Sequence, residues 1–77
     1  MFISKQGWTL FNKANEKVVM DELIRDRDGE AWVISGGAIP LHGASTGRVW
    51  ARSMDEDRMY WREFFPSVFN LQWRKDR

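Results

Sequence analysis

The stretch Arg27-Asp28-Gly29-Glu30 carries the clearest local signal in the chain, because its Asp-Gly pair lies between two apolar segments. Asp-Gly tolerates the positive φ that two-residue hairpin turns require. The segment 17–26 before it is rich in aliphatic residues, and the segment 30–35 after it is rich in tryptophan and β-branched residues. We therefore predict two strands paired across a tight turn, with Gly36-Gly37 ending the second strand.

Three further strands are predicted downstream. Segment 48–52 alternates, with Arg48, Trp50 and Arg52 on one face and Val49 and Ala51 on the other. A strand is predicted over 60–65. It must end before Pro66, because proline cannot donate a ladder hydrogen bond. Segment 66–68 then forms a turn or one helical turn. The last strand, 69–73, has the strongest period of two and predicts that its inward residues are Phe69, Leu71 and Trp73.

Four or five short strands separated by turn signals, with little helix, are typical of a small closed sheet. We predict an all-β fold, a small SH3-like barrel of about five strands over residues 17–74. Residues 1–16 form an N-terminal arm or an extra strand, and residues 75–77 form a tail. A long Gly/Pro loop over 35–47 connects two of the strands.

Composition narrows the class of protein. Seventy-seven residues allow one domain, and the absence of cysteine excludes disulfides and thiolate metal sites. Five tryptophans and five phenylalanines supply large rings to a small core. A net charge of +1 argues against binding to nucleic acid by bulk charge. Neither a membrane-spanning run nor a signal peptide is present, so no membrane partner is expected and a cytoplasmic protein is predicted.

Several motifs resemble a family of short, uncharacterised proteins encoded by enterobacterial prophages, over about residues 23–73. They are Asp26-Arg-Asp-Gly-Glu30, Trp32, Ser35-Gly-Gly37, Pro40, Ser45-Thr-Gly-Arg48, Val49-Trp50, Glu63-Phe-Phe-Pro-Ser67 and Phe69-Asn-Leu-Gln-Trp73. The resemblance implies a phage origin and a bacterial host, and it implies no reaction.

The second half of the chain is also similar to SH3 domains, in which a tryptophan precedes a Pro-Ser-x-aromatic turn. That similarity implies that Trp50, Pro66 and Phe69 would line a peptide-binding groove. The chain departs from the SH3 pattern because the Ala-Leu-Tyr-Asp-Tyr type opening is absent and because Phe69 lacks a phenol hydroxyl.

No constellation of residues predicts catalysis, a cofactor or a metal. His42, the single histidine, lies in the Gly/Pro loop near serine and threonine residues but without the spacing of a nucleophile elbow. The run Asp55-Glu56-Asp57 lacks the spacing of a calcium loop and is expected to be a solvated loop.

An aromatic and basic surface is the leading candidate for function. Tryptophan, tyrosine and arginine dominate protein interfaces, so we predict a non-catalytic module that binds a host or phage protein and inhibits a host factor. The same residue types stack on bases and track phosphates, which makes nucleic-acid binding the alternative. A homodimer that uses the excess aromatic surface is a third option. The predicted binding residues are Arg48, Trp50, Arg52, Tyr60, Arg62, Pro66 and Phe69.

Overall fold

The computed structural model describes residues 1–41, 43, 45–54 and 61–76. It confirms the all-β class, since these residues form strands and one short 3₁₀ helix but no α-helix. In chain order the elements are β1 (Ser4–Lys5), β2 (Trp8–Phe11), β3 (Leu23–Arg25), β4 (Ala31–Ala38), β5 (Arg48–Ser53), β6 (Arg62–Phe64), the 3₁₀ helix (Pro66–Phe69) and β7 (Gln72–Lys75).

The strands form two antiparallel sheets, one in the order β1-β2-β7 and the other in the order β3-β4-β5-β6. Residues 17–22 join them: the Val18 N–H donates to the Leu10 carbonyl oxygen at 2.9 Å, and the Asp21 N–H donates to the Ile34 carbonyl oxygen at 2.7 Å. In the described part of the chain no strand ladder closes the two sheets into one barrel. The predicted SH3-like barrel is therefore not confirmed.

The predicted hairpin is present between β3 and β4, with a loop of a different length. The Asp26 N–H donates to the Glu30 carbonyl oxygen at 3.0 Å, and the Gly29 N–H donates to the Asp26 carbonyl oxygen at 3.1 Å. Gly29 has a φ of 83°. This is the three-residue hairpin loop in which a glycine with positive φ forms a bulge, rather than a two-residue turn.

Strand β4 does not end at Gly36-Gly37, as the sequence predicted, but continues to Ala38 through a register shift between Ile34 and Gly36. The pair has a packing role within the sheet. A Cβ atom at Gly37 would lie 2.1 Å from the carbonyl oxygen of Arg48 on β5. Only glycine allows the two strands to approach this closely.

The alternation predicted for β5 is confirmed. The inward residues predicted near the C-terminus are confirmed as well, but the predicted strand 69–73 is not, because Phe69 ends the 3₁₀ helix and β7 begins at Gln72. On β5, Val49 and Ala51 are fully buried, whereas Trp50 is partly exposed. Near the C-terminus every second residue is buried, which places Phe69, Leu71 and Trp73 in the core. The turn predicted at Pro66 is the 3₁₀ helix, and its left-handed C-cap residue is Asn70.

Residues 1–16 are part of the fold rather than a separate arm. They contain β1 and β2, and β2 pairs along its length with β7 at the far end of the sequence. Ile3 and Leu10 are 3% and 0% exposed and belong to the core. That core is one cluster between the sheets, made of Ile3, Leu10, Val18, Trp32, Ile34, Val49, Ala51, Phe69, Leu71 and Trp73.

Candidate functional site

The outward side of the β5–β6 hairpin carries alternating aromatic and charged side chains. Opposed residues of an antiparallel pair project from the same side of the sheet. Trp50 lies opposite Glu63 in the register, so this side also receives the residues two positions before and after each of them. We call this surface the aromatic–arginine face, and define it by Arg48, Trp50, Arg52, Trp61, Glu63 and Phe65.

Arg48 is held at one end of the face by three contacts. Its Cζ lies 4.2 Å from the centroid of the Phe65 ring. Its Nε lies 3.3 Å from Oε1 of Glu63, and its Nη1 donates to the carbonyl oxygen of Gly47 at 2.8 Å. The guanidinium group is thus both stacked and neutralised, which fixes the orientation of the side chain.

Arg52 and Trp61 form the corresponding pair at the other end of the face. The Cζ of Arg52 lies 5.6 Å from the centroid of the Trp61 ring. Cation–aromatic contacts of this kind contribute about 0.5–1 kcal/mol at exposed sites. The face therefore has an arginine–aromatic pair at each end and the Trp50–Glu63 pair between them.

Trp50 occupies the centre of the face, where it reaches the edge of the other sheet. A Cβ atom at Gly36 would be 3.8 Å from Cε3 of Trp50, so the indole lies over the glycine backbone of the neighbouring strand. The Nζ of Lys5, on β1, lies 5.8 Å from the centroid of the indole. Trp50 therefore contacts both sheets and is still 38% exposed.

Three large rings remain accessible on this one surface. Trp50 is 38% exposed, Trp61 42% and Phe65 54%. Single exposed apolar residues are normal on any protein, but adjacent large rings are typical of contact surfaces. Their position on one side of one hairpin, rather than the exposure of any one ring, distinguishes this face.

The structure brings together three of the seven predicted binding residues, Arg48, Trp50 and Arg52. Arg62 lies opposite Ala51 on the other side of the hairpin, and its Cζ is 6.0 Å from the centroid of Trp32. Tyr60 lies outside the described residues. Arg62 therefore belongs to the rim of the core side and not to the face.

The SH3 similarity implied that Pro66 and Phe69 would line a peptide-binding groove, but both residues are buried. Pro66 is fully buried, and Phe69 is 4% exposed. The Phe69 ring packs edge-on against Phe64 at a centroid distance of 5.3 Å and against Trp32 at 6.2 Å. The 3₁₀ helix directs both residues towards the core, and neither belongs to the aromatic–arginine face.

The sequence analysis missed three residues of the face, Trp61, Glu63 and Phe65, and it also missed Lys5, which lies beside Trp50. A strict period of two over the predicted strand 60–65 places Trp61, Glu63 and Phe65 on one side. The prediction of Tyr60 and Arg62 rests on residue type and does not follow this alternation. Lys5 carries no such signal, because its approach to Trp50 depends on how the two sheets pack.

Other kinds of site find little support in the described part of the chain. His42 and the acidic run 55–57 lie outside it. Among the described residues no three histidine or acidic side chains group together as metal ligands, and every buried side-chain nitrogen or oxygen has a hydrogen-bond partner. None of the described segments is a helix long and apolar enough to span a membrane.

Compared with protein-family models, with curated proteins and with solved structures, the chain finds no significant match. The resemblance to prophage-encoded proteins therefore stays a prediction. The case for function is made by the aromatic–arginine face.

Proposed function

We propose that this chain is a non-catalytic interaction module that binds a host or phage protein through the aromatic–arginine face. The observation that carries the proposal is the grouping of three accessible rings, Trp50, Trp61 and Phe65, between two stacked arginines. Aromatic residues and arginine are enriched at the centres of protein interfaces and account for much of their binding energy.

The contacts within the face favour binding because they order its long side chains before a partner arrives. Arg48 is fixed by Glu63 and Phe65, and Arg52 lies over Trp61. Association costs about 0.5–1.5 kcal/mol for each flexible side chain that becomes immobilised. A face whose arginines are already held incurs less of this cost.

A protein partner is favoured over nucleic acid by the charges at the centre of the face. The Glu63 carboxylate lies opposite Trp50 and neutralises Arg48. A nucleic-acid strand would bring phosphates beside that carboxylate, and like charges in close contact are unfavourable. A protein can instead oppose Glu63 with a neutral or basic group.

The biological setting follows from the resemblance to prophage-encoded proteins. A small phage protein of this kind would act in the cytoplasm of its bacterial host, and binding to a working surface of a host factor would inhibit that factor. The same face can also support a homodimer, because an exposed aromatic surface can bind its own copy.

Capture of partners from an enterobacterial lysate tests the proposal. Immobilised wild-type protein is compared with Trp50→Ala and Trp61→Ala, and Leu41→Ala serves as the matched control because Leu41 is exposed but lies off the face. We expect the same host protein to be retained by wild type and Leu41→Ala and lost from both tryptophan variants. Retention by all four proteins would contradict the proposal.

Two further measurements separate the alternatives. For the nucleic-acid alternative, short oligonucleotides would bind with an affinity that falls steeply as salt rises, and we expect no such binding. For the homodimer, analytical ultracentrifugation would show self-association that Trp61→Ala abolishes. Circular dichroism of each variant establishes that the loss of capture does not reflect unfolding.

A further inference from the structure

A groove lies beside Trp50 at the junction of the two sheets. Its volume is about 180 Å³. The Trp50 indole, Met20 and Lys5 contribute side chains to its lining, and the glycines of β4 contribute backbone. The described residues that line it are Ile3, Ser4, Lys5, Met20, Ser35, Gly36, Gly37, Trp50 and Trp73.

The described residues that line this groove bring only positive charge to it. Lys5 is the one charged residue among its described lining residues. Among the described residues, the ion pair found is the one between Arg48 and Glu63. Lys5 therefore forms no ion pair with a described carboxylate. Its ammonium group instead lies over the Trp50 indole, at 5.8 Å from the ring centroid.

A second lysine–aromatic pair involves Phe2, near the start of the chain. Phe2 and Val19 pair through an isolated bridge and are 53% and 37% exposed. The Nζ of Lys17 lies 5.3 Å from the centroid of the Phe2 ring, again with no described carboxylate as an ion-pair partner. Phe2 and Lys17 thus repeat the lysine–aromatic combination, although neither is among the described residues that line the groove.

We propose that this groove is the anchor site for a protein segment in which one large apolar side chain is flanked by acidic residues. The inference rests on the proposed function and names the chemistry of the partner. The apolar side chain enters the groove beside Trp50, and a flanking carboxylate pairs with Lys5. Charge complementarity decides the choice of partner, since the described lining of the groove supplies one cation, Lys5, and no anion.

Two physical arguments favour a single anchoring side chain. Sites for small molecules usually enclose about 300–1,000 Å³. A groove of about 180 Å³ is smaller and suits one inserted side chain. Methionine adapts its shape to different apolar groups, so Met20 can pack against whichever side chain enters.

Nuclear magnetic resonance tests the proposal on the full-length ¹⁵N-labelled protein. The probe is a short synthetic peptide with a central leucine flanked by glutamates, and the comparison peptide carries glutamines in their place. We expect the glutamate peptide to shift the indole N–H signal of Trp50. The indole of Trp32 acts as an internal reference, because it donates within the protein to Asp26 and does not line the groove.

Charge variants make the test specific. Lys5→Glu replaces an attraction with a repulsion, and we expect it to weaken binding of the glutamate peptide by about fivefold. Lys13→Glu makes the same charge change on an exposed loop residue that does not line the groove. We expect Lys13→Glu to bind as wild type does.

Equal binding of the two peptides, or equal effects of Lys5→Glu and Lys13→Glu, would overturn the inference. Oligothymidylate that shifts the Trp50 indole while the glutamate peptide does not would also overturn it, in favour of nucleic acid. Failure of the proposed function has a different signature. In that case capture from lysate is unchanged by Trp61→Ala, which lies outside the groove.

Discussion

The carboxylate of Asp26 accepts a hydrogen bond from the indole Nε1 of Trp32 at 3.0 Å, which connects the β3–β4 hairpin to the core. Its other oxygen accepts from the backbone N–H groups of Asp28 and Glu30, each at 2.9 Å. Trp32 is 5% exposed and packs edge-on against Phe64 at 4.9 Å between ring centroids. One half-exposed acid therefore orders both the hairpin loop and a buried indole.

These bonds make the stability of the protein depend on pH. The indole N–H of Trp32 has the largest effect and lowers the pKa of Asp26 from its usual value of 3.8. Desolvation raises this pKa, but by less than the indole lowers it, and the hydrogen bonds from the loop amides lower it further. A lowered pKa in the folded state means that the charged form stabilises the fold. The contribution is complete above the usual pKa and is lost as the pH falls through the lowered one.

Asp26→Asn should therefore lower the melting temperature near neutral pH, because the amide accepts these bonds less strongly than a carboxylate. The difference from wild type should begin to shrink as the pH falls below about 4, where Asp26 of the unfolded chain takes up a proton, and should shrink further as the pH falls through the lowered pKa of the folded protein. Thermal melts followed by circular dichroism between neutral and strongly acidic pH measure this. Asp28→Asn is the control, and a constant difference between wild type and Asp26→Asn at every pH would contradict the prediction.

Gly37→Ala should strongly destabilise the protein. The new Cβ would lie 2.1 Å from the Arg48 carbonyl oxygen and 2.9 Å from the Cα of Val49, both backbone atoms that cannot rotate away. We expect a loss of about 2–4 kcal/mol in the free energy of unfolding, measured by urea denaturation. Gly43→Ala, where a Cβ would meet nothing within 4 Å, should change it by less than about 0.5 kcal/mol.

The N-terminal hairpin should contribute to stability as a core element. Leu10 is 0% exposed and lies on β2 opposite Trp73 of β7. Leu10→Ala should lower the free energy of unfolding by about 2–5 kcal/mol. Leu41→Ala removes the same atoms from a residue that is 76% exposed and should have little effect. A neutral Leu10→Ala would restore the interpretation of residues 1–16 as an independent arm.

Local patterns were sufficient to predict the all-β class, the first hairpin and the inward residues of β5. Each depends on turn chemistry or on a period of two within a few residues. The same alternation near the C-terminus predicted that Phe69, Leu71 and Trp73 point inward. The binding role assigned to Phe69 came from the SH3 similarity and conflicted with that pattern. The structure agrees with the pattern.

What could not be predicted depends on contacts between distant parts of the chain. Pairing of β2 with β7 joins residues from the two ends, and no local signal indicates it. Segment 17–22 is rich in β-branched residues, yet most of it crosses between the two sheets instead of extending β3. The proximity of Lys5 to Trp50 follows from that packing, so the groove beside Trp50 had no signature in the sequence.

Replacing Trp73 with alanine should destabilise the protein much more than replacing Trp50. Trp73 is 5% exposed and donates its indole N–H to the Arg48 carbonyl oxygen at 3.0 Å, so Trp73→Ala should cost about 3–5 kcal/mol in the free energy of unfolding. Trp50 is 38% exposed and packs mainly on the glycine backbone of β4, so Trp50→Ala should cost about 1 kcal/mol or less. Urea denaturation followed by far-ultraviolet circular dichroism compares the two variants directly. If Trp50→Ala were as destabilised as Trp73→Ala, the ring would be a structural element, and its loss could not be used to test binding at the aromatic–arginine face.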